Sequence, residues 1–214
     1  MGDGALGGRS LTARLGIMGG TFDPIHVGHL AVAEEAREQL RLDRVLFVPA
    51  GVPPHKPAGA VAPVGDRVAM VALAIGENET FELSRVEVER EGPSYTSDTV
   101  EQLAGSGDEL VLILSAETFR ELPTWHAPDR LLDAARVAVV PREGFPSPDA
   151  SWIADRFPGR ESRVTILDGP RLGISSTDIR DRVASGRSVR YLVPEVVRRY
   201  IEDHGLYRWR TAST

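Results

Sequence analysis

The amino-acid sequence predicts a single-domain α/β protein with a Rossmann-like, doubly wound parallel sheet. Short apolar runs, each too short for a helix, alternate with stretches of helical periodicity along the chain. This alternation is typical of parallel strands joined by crossover helices. A glycine-rich turn follows the first apolar run, at the position where open α/β sheets bind phosphates. The 214 residues suffice for one domain, which we place at 14–208 behind a flexible tail at 1–13.

Each element of this fold is predicted from local periodicity and from its end signals. Continuous apolar runs are typical of buried parallel strands, and proline ends two of these runs, at Pro49 and Pro141. The predicted strands are 15–18, 44–49, 81–84, 86–88, 109–114, 136–141 and 164–167. The predicted helices are 28–41, 66–75, 128–135, 150–157 and 195–204, with two more that begin near 97–98 and after Ser175.

Composition limits the classes of function and partner. The formal net charge is −6, so we expect no nucleic-acid partner. No apolar stretch is long enough to span a bilayer, so we expect no membrane partner. The chain has no cysteine, which excludes disulfides and thiolate metal sites and fits a cytoplasmic enzyme. Composition leaves homo-oligomerisation open.

The segment GGTFDPIHVGHL, residues 19–30, carries the strongest chemical signal. Its leading glycines allow a tight turn and a close approach of the backbone to a ligand. His26 and His29 are three residues apart, so they share one face at the positive end of the helix that follows. Free N–H groups, a helix dipole and two imidazoles together predict a phosphate site. Zinc binding is the weaker interpretation, because two histidines lack the remaining ligands of a zinc site.

Two further segments also favour phosphate binding. The segment ISSTDIR, residues 174–180, follows a predicted strand, and its Ser-to-Asp spacing is a capping-box pattern that predicts a helix start. Hydroxyl groups, free N–H groups and Arg180 would then lie near the first turn of that helix. The segment PPHK, residues 53–56, presents His55 and Lys56 on a stiff, extended backbone. Lys56 is the only lysine in the chain.

These segments resemble those of the HxGH nucleotidylyltransferase superfamily and, within it, the bacterial nicotinate-nucleotide adenylyltransferases. The first segment is similar to that family's GGTFDPxHxGHL. Further matches are PPHK at 53–56, GPSYT-x-DT at 92–99, PTW at 123–125, ISSTxIR at 174–180 and LVPxxVxxYIxxHxLY at 192–207. The resemblance covers 15–207, nearly the whole chain. It implies the nucleotidylyltransferase form of the Rossmann-like fold.

The resemblance implies adenylyl transfer from ATP to nicotinate mononucleotide, giving nicotinate adenine dinucleotide and pyrophosphate in NAD biosynthesis. Mg²⁺ is implied as the companion of ATP, without a protein ligand to the metal. The catalytic residues implied are His26, His29, Lys56 and Arg180. The ATP-binding residues implied are Gly19, Gly20, Thr21, Phe22, His26, His29, Lys56, Ser115, Glu117, Ile174, Ser175, Ser176 and Arg180. The acceptor-binding residues implied are Thr21, His55, Lys56, Ser94, Tyr95, Thr96, Trp125 and Arg142.

One segment departs from the family pattern. Residues 115–117 read Ser-Ala-Glu where the family usually has Gly-x-Asp, and serine does not freely adopt positive φ. A nucleotide-binding protein with weakened turnover is therefore one alternative. The others are a nicotinamide-mononucleotide adenylyltransferase and a different cytidylyl or adenylyl transfer. The resemblance favours the nicotinate form, because there the Tyr95–Thr96 backbone receives the carboxylate and Trp125 stacks on the ring.

Overall fold

A parallel sheet of six strands forms the centre of the computed structural model, which describes residues 12–54, 62–105 and 107–208. Its strands are β1 (Arg14–Gly20), β2 (Arg44–Pro49), β3 (Phe81–Leu83), β4 (Glu109–Ser115), β5 (Arg136–Val140) and β6 (Val164–Ile166). Neighbouring strands follow the order β3-β2-β1-β4-β5-β6, and every pair is parallel. This is a doubly wound order with its switch point between β1 and β4, which confirms the predicted fold class.

Helices cover both faces of this sheet. They are α1 (Val27–Leu40), α2 (Val64–Ile75), α3 (Thr96–Ala104), α4 (Ala116–Glu121), α5 (Pro128–Ala134), α6 (Ala150–Arg156), α7 (Ser176–Ala184) and α8 (Glu195–Asp203). One hydrophobic cluster packs α1, α2, α7 and α8 against the sheet, and a second packs α3 to α6 against the opposite face. Strand β4 shows why both faces are buried. Val111 and Ile113 enter the first cluster, whereas Leu112 and Leu114 enter the second.

The prediction of a strand at 86–88 was wrong. These residues form a turn, in which the N–H groups of Val88 and Glu89 both donate to the Arg85 carbonyl at 2.9 Å. The alternation of apolar and acidic residues has the period of a strand. Glu87 is instead buried, with 6 % of its surface exposed, because Thr99 donates a hydrogen bond to its carboxylate. The alternation at 86–88 was therefore misleading, because Thr99, the partner that accounts for the burial of Glu87, lies 12 residues further along the chain.

Two helix starts also differ from the prediction. Helix α3 begins at Thr96, with Tyr95 at the N-cap position and no side-chain capping bond. Ser97, one of the two predicted caps, is buried inside the helix. Helix α4 was not predicted at all. It begins directly after β4, where the Ser115 hydroxyl accepts a hydrogen bond from the Thr118 N–H at 3.2 Å.

Candidate active site

A cavity of about 430 Å³ opens at the carboxyl ends of the central strands, beside the switch point of the sheet. Its walls come from the ends of β1 and β4, the start of α1 and the segments before α3 and α7. This volume lies within the range of small-molecule sites. Of the residues predicted for ATP or acceptor, those that line it are Gly19, Gly20, Thr21, His26, His29, Ser94, Tyr95, Thr96, Ser115, Trp125, Arg142 and Ile174.

The two histidines of the first motif stack at the entry to α1. Their ring centroids are 3.7 Å apart, with an interplanar angle of 22°. The backbone N–H of His26 donates to Nδ1 of His29 at 3.2 Å. Because Nδ1 is the acceptor, the proton of a neutral His29 ring resides on Nε2, which is then a hydrogen-bond donor. Phe22 fixes the ring from another side by an edge contact with centroids 5.1 Å apart.

Both imidazoles are neutral in the free protein at neutral pH. Burial and, to a smaller extent, the positive charge of Arg142 lower the pKa of His26 from 6.5 to about 4. Burial, His26 and Arg142, in that order, lower the pKa of His29 well below its usual value. The cavity therefore offers neutral N–H donors beside one fixed positive charge. A bound phosphate would favour protonation of the same rings.

Gly28 makes the close approach of the His26 ring possible. A Cβ atom at this position would lie 3.0 Å from Nδ1 and 3.1 Å from Cε1 of that ring. A side chain between the two histidines would push the His26 ring away from the first turn of α1. This contact explains why glycine separates the two histidines in the motif.

The pKa shifts of the histidines predict a pH-dependent stability. We expect the free energy of unfolding to fall between about pH 7 and pH 5, because unfolded histidines bind protons below pH 6.5 whereas His26 stays neutral down to about 4. Urea unfolding of wild type and of a His26→Asn, His29→Asn variant measures this contribution. The variant should lose less stability on acidification than wild type does. A His204→Asn control alters an exposed histidine, and its free energy of unfolding should change with pH as that of wild type does. Equal slopes in wild type and the double variant would contradict the prediction.

The second phosphate segment packs directly against the first. Ser175 caps α7 by accepting a hydrogen bond from the Asp178 N–H at 3.1 Å, as predicted. Ser176 donates to the carbonyl of Pro24 at 2.9 Å, and Arg180 donates to the carbonyl of Asp23 at 2.8 Å. The two segments are thus adjacent in space although about 150 residues separate them, since these two bonds span 152 and 157 residues. In this arrangement both side chains bind protein carbonyls rather than facing the cavity.

Residues 115–117 adopt an ordinary backbone geometry. Ser115 has φ −71°, so the position needs no glycine, and its hydroxyl caps α4. Glu117 forms an ion pair with Arg142 at 3.0 Å, and both side chains are about one-third exposed, at 35% and 34%. The longer acidic side chain thus reaches the arginine at the end of β5 and orients it. The departure from the family pattern is accommodated without strain at Ser115.

Aromatic rings line a second part of the cavity wall, which we call the aromatic end. Trp125 and Tyr95 line the wall, and the Tyr95 ring stacks on His126 with centroids 4.2 Å apart. His126 was not singled out from the sequence, where it follows the PTW segment without a recognisable pattern. A planar apolar group can lie against such a wall and gain both apolar contact and orientation. This end of the cavity therefore suits an aromatic ring, whereas the histidine end suits phosphate.

Comparison of the sequence with known proteins shows the family to which this chain belongs. A family model described as cytidylyltransferase-like matches residues 17–182. A protein of Roseiflexus sp. strain RS-1 with the name "Probable nicotinate-nucleotide adenylyltransferase" is 50% identical over 198 residues, which cover 92% of this chain and 99% of the relative. A protein of the same name from Thermomicrobium roseum is 48% identical, with 92% of each chain covered. The chain belongs to the nicotinate-nucleotide adenylyltransferase family.

Solved structures show the same fold at lower sequence identity. The Plasmodium falciparum nicotinic acid mononucleotide adenylyltransferase complexed with NaAD has a TM-score of 0.77 and 18% identity to this chain. The alignment covers 91% of this chain and 97% of that one. The same enzyme complexed with APC has a TM-score of 0.75. In the described ranges of this adenylyltransferase-family chain, no helix is long and apolar enough to cross a membrane.

Arg67 is a buried residue of this family member that the sequence analysis missed. Its side chain is 1% exposed, and it donates to the carbonyls of Thr21 at 2.8 Å, Ala62 at 3.1 Å and Gly51 at 3.3 Å. It thereby joins the first motif to the two described segments on either side of 55–61. The sequence did contain a signal, because an arginine interrupts the apolar face of α2 beside Val68.

Asp23 is a second buried charge behind the first motif, and it too was missed as a structural residue. It is 1% exposed, and one carboxylate oxygen accepts from the Tyr207 hydroxyl at 2.8 Å and from the Ala62 N–H at 3.1 Å. The other oxygen lies 3.7 Å from Arg180. Asp23 thus connects the motif to α7 and to the last described turn of the chain.

The remaining predicted residues stay predictions. His55 and Lys56 lie outside the described residues. Phe22 is buried and contacts His29, and Glu117 pairs with Arg142 rather than lining the cavity.

Proposed function

We propose that this protein transfers the adenylyl group of ATP to nicotinate mononucleotide, releasing pyrophosphate and nicotinate adenine dinucleotide in NAD biosynthesis. The observation that carries the proposal is the stacked, neutral histidine pair at the start of α1, in a cavity that Tyr95, Trp125 and His126 also line. Membership of the nicotinate-nucleotide adenylyltransferase family supports the same reaction. A cytoplasmic location and a homo-oligomeric state are further expectations.

The proposed reaction needs no protein nucleophile. A phosphate oxygen of the acceptor attacks the α-phosphorus of ATP, a new P–O bond forms, and the bond between the α-phosphorus and the bridging oxygen breaks. The electron pair of that bond leaves with pyrophosphate. A phosphate monoester has a second pKa near 6, so the attacking group is mostly dianionic at neutral pH. Catalysis then consists of positioning the reactants and stabilising charge in the transition state.

The histidines and Arg142 are suited to the α-phosphate. The Nε2–H of His29 is available as a donor because Nδ1 accepts the His26 N–H. His26 lies against the same ring, and the charge of Arg142 reaches both rings. Donors that are fixed before the reaction stabilise developing charge without reorganisation. We assign His26 and His29 to the α-phosphate and its transition state on this basis.

The β- and γ-phosphates are assigned to Lys56, Ser176 and Arg180. In the described structure Ser176 and Arg180 bind the carbonyls of Pro24 and Asp23. Ser176 is the first residue of α7 and Arg180 lies one turn further along, so both are close to a helix N-terminus, whose N–H groups and dipole favour phosphate. Binding of the triphosphate would therefore exchange carbonyl contacts for phosphate contacts at the same two side chains.

Mg²⁺ is proposed as the companion of ATP. Of the described carboxylates, Glu87 lines the cavity and accepts from Thr99, Glu117 pairs with Arg142, and one oxygen of Asp23 accepts from Tyr207. This donor set fits a metal held mainly by phosphate oxygens and water, as Mg²⁺ usually is. The ion would neutralise charge on the departing pyrophosphate.

The aromatic end is assigned to the pyridine ring of the acceptor. Trp125 would stack on the ring, and backbone groups of the 94–96 segment would receive its carboxylate at the start of α3. Thr21 and Arg142 also line the cavity and are assigned to the acceptor phosphate. His55 is assigned to the same phosphate as a further candidate.

Pyrophosphate release tests the proposal. The wild-type chain is incubated with ATP and Mg²⁺, and nicotinate mononucleotide is compared with nicotinamide mononucleotide at equal concentration. We expect release with the acid at a much higher kcat/KM than with the amide, and none above background with ATP alone. Preference for the amide would keep the chemistry and overturn the acceptor. Release with neither acceptor, while ATP still binds, would support a nucleotide-binding protein and overturn the proposed reaction.

A further inference from the structure

Glu87 is a buried carboxylate in the cavity wall that no predicted site contains. It lies in the turn that precedes α3 and is 6% exposed. A carboxylate at this depth is stable only with hydrogen-bond donors around it. The two side-chain donors around Glu87, Thr99 and Ser94, link it to two segments, the start of α3 and the loop that follows β2.

The first of these segments is the start of α3. The Thr99 hydroxyl donates to the Glu87 carboxylate at 2.7 Å. Arg90 in turn donates to the Thr99 hydroxyl at 3.0 Å and to the Tyr95 carbonyl at 3.3 Å. The carboxylate is therefore linked, through one hydroxyl and one guanidinium, to the backbone at Tyr95.

The second segment is the loop that follows β2. The Ser94 hydroxyl also hydrogen-bonds the Glu87 carboxylate. The oxygen of that hydroxyl accepts the N–H of Gly51 at 2.9 Å and the N–H of Val52 at 3.2 Å. A hydroxyl that accepts two N–H groups has its own proton left to donate, and Glu87 takes it. Glu87 thus orients the Ser94 hydroxyl, and that hydroxyl in turn binds the loop that follows β2.

Backbone packing brings the same two segments together. A Cβ atom at Gly51 would lie 2.3 Å from the carbonyl oxygen of Glu87, so only glycine permits this contact. The N–H of Ser94 also donates to the Val52 carbonyl at 2.9 Å. The loop after β2 and the segment before α3 therefore meet at Glu87 through both backbone and side chain.

Burial raises the pKa of the Glu87 carboxyl, and hydrogen bonds from Thr99 and Ser94 oppose that shift, as does the charge of Arg90. Arg90, which follows Glu87 closely in the chain, is the charged residue that acts on this carboxyl. Hydrogen bonds therefore offset part of the free-energy cost of burying the charged form of Glu87. Carboxylates with a pKa perturbed by burial and by specific partners cluster at functional sites.

We propose that Glu87 is a positioning residue for the acceptor, which fixes the 94–96 segment against the loop after β2. This inference rests on the proposed function, in which the 94–96 backbone receives the carboxylate of nicotinate mononucleotide. Glu87 is not among the residues assigned above to the reacting phosphates. Its loss should therefore weaken acceptor binding and acid-over-amide selectivity, with little effect on ATP.

The test is a Glu87→Gln variant, which keeps the shape and can still accept from Thr99 but offers an NH₂ group toward Ser94. We expect the KM and the calorimetric Kd for nicotinate mononucleotide to rise about tenfold, a loss typical of one hydrogen bond to a charged group. The preference for acid over amide should fall by a similar factor. The KM for ATP and the saturated kcat should stay within about twofold of wild type.

Two further variants separate positioning from stability. Thr99→Val removes the other donor to the carboxylate and should shift acceptor KM in the same direction. Glu89→Gln alters an exposed carboxylate on the same turn and should match wild type. A lower melting temperature in Glu87→Gln with unchanged acceptor Kd and selectivity would overturn the inference, as would an equal rise in the KM for ATP. Absence of turnover in wild type would overturn the proposed function, and the acceptor Kd would still decide the role of Glu87.

Discussion

Replacing His29 with alanine is expected to lower kcat for pyrophosphate release by about 10²–10³-fold, the cost of removing one preorganised donor to a developing charge. The neutral ring donates through Nε2, since its Nδ1 accepts the His26 N–H at 3.2 Å. Alanine removes that donor and also leaves the His26 N–H without its acceptor. Steady-state kinetics at saturating ATP and nicotinate mononucleotide measure the loss.

A His29→Asn variant separates the two roles of the ring. The asparagine oxygen can accept the His26 N–H in place of Nδ1, but no donor remains at the position of Nε2. We expect this variant to keep the wild-type melting temperature and to lose nearly as much kcat as alanine does. His204→Ala removes an exposed histidine at the end of α8 and should keep wild-type turnover. Near-normal kcat in a folded His29→Asn protein would remove His29 from the mechanism.

Replacing Arg67 with methionine is expected to destabilise the fold by about 3 kcal/mol or more, the cost typical of breaking a buried charged network. The side chain is 1% exposed and binds the carbonyls of Thr21, Ala62 and Gly51. Methionine fills a similar volume but leaves all three carbonyls without this donor. It also removes a positive charge that acts on the buried carboxylate of Asp23.

Urea unfolding at neutral pH measures the loss of stability in Arg67→Met. Arg199→Met is a matched control, because the Arg199 side chain is 67% exposed and its ion pair with Glu195 lies on the surface. We expect that control to stay within about 0.5 kcal/mol of wild type. A change of similar size in both variants would show that the three carbonyl contacts of Arg67 add nothing to stability.

The parts of the fold that were predicted correctly are those that the local periodicity of apolar residues determines. The apolar runs of β2 and β4 and the helical spacing of α8 required only neighbouring residues. The doubly wound class followed from the alternation of short apolar runs with helical stretches, because parallel strands need crossover helices. The cavity lining at His26 and His29 followed from their spacing at a strand-to-helix turn.

The parts that were missed depend on partners distant in the chain. The V-E-V alternation at 86–88 has the period of a strand, and only the hydroxyls of Ser94 and Thr99 explain why Glu87 turns inward. Helix α4 has six residues, too few for a clear period, and its cap came from Ser115 at the end of a strand. Arg67 could have been found, because an arginine on an apolar helix face needs buried acceptors.

The bond from Tyr207 to Asp23 spans 184 residues, and the backbone N–H of Val27 donates to the carbonyl of Leu192 at 3.0 Å. The turn that begins at Gly19 is therefore completed by residues far along the chain. Strand β1 and helix α1 need only neighbouring residues to form, whereas the turn between them also needs these distant partners. Contacts of such long sequence separation form slowly. We therefore expect the turn to reach its final geometry late in folding, after the local elements on either side of it.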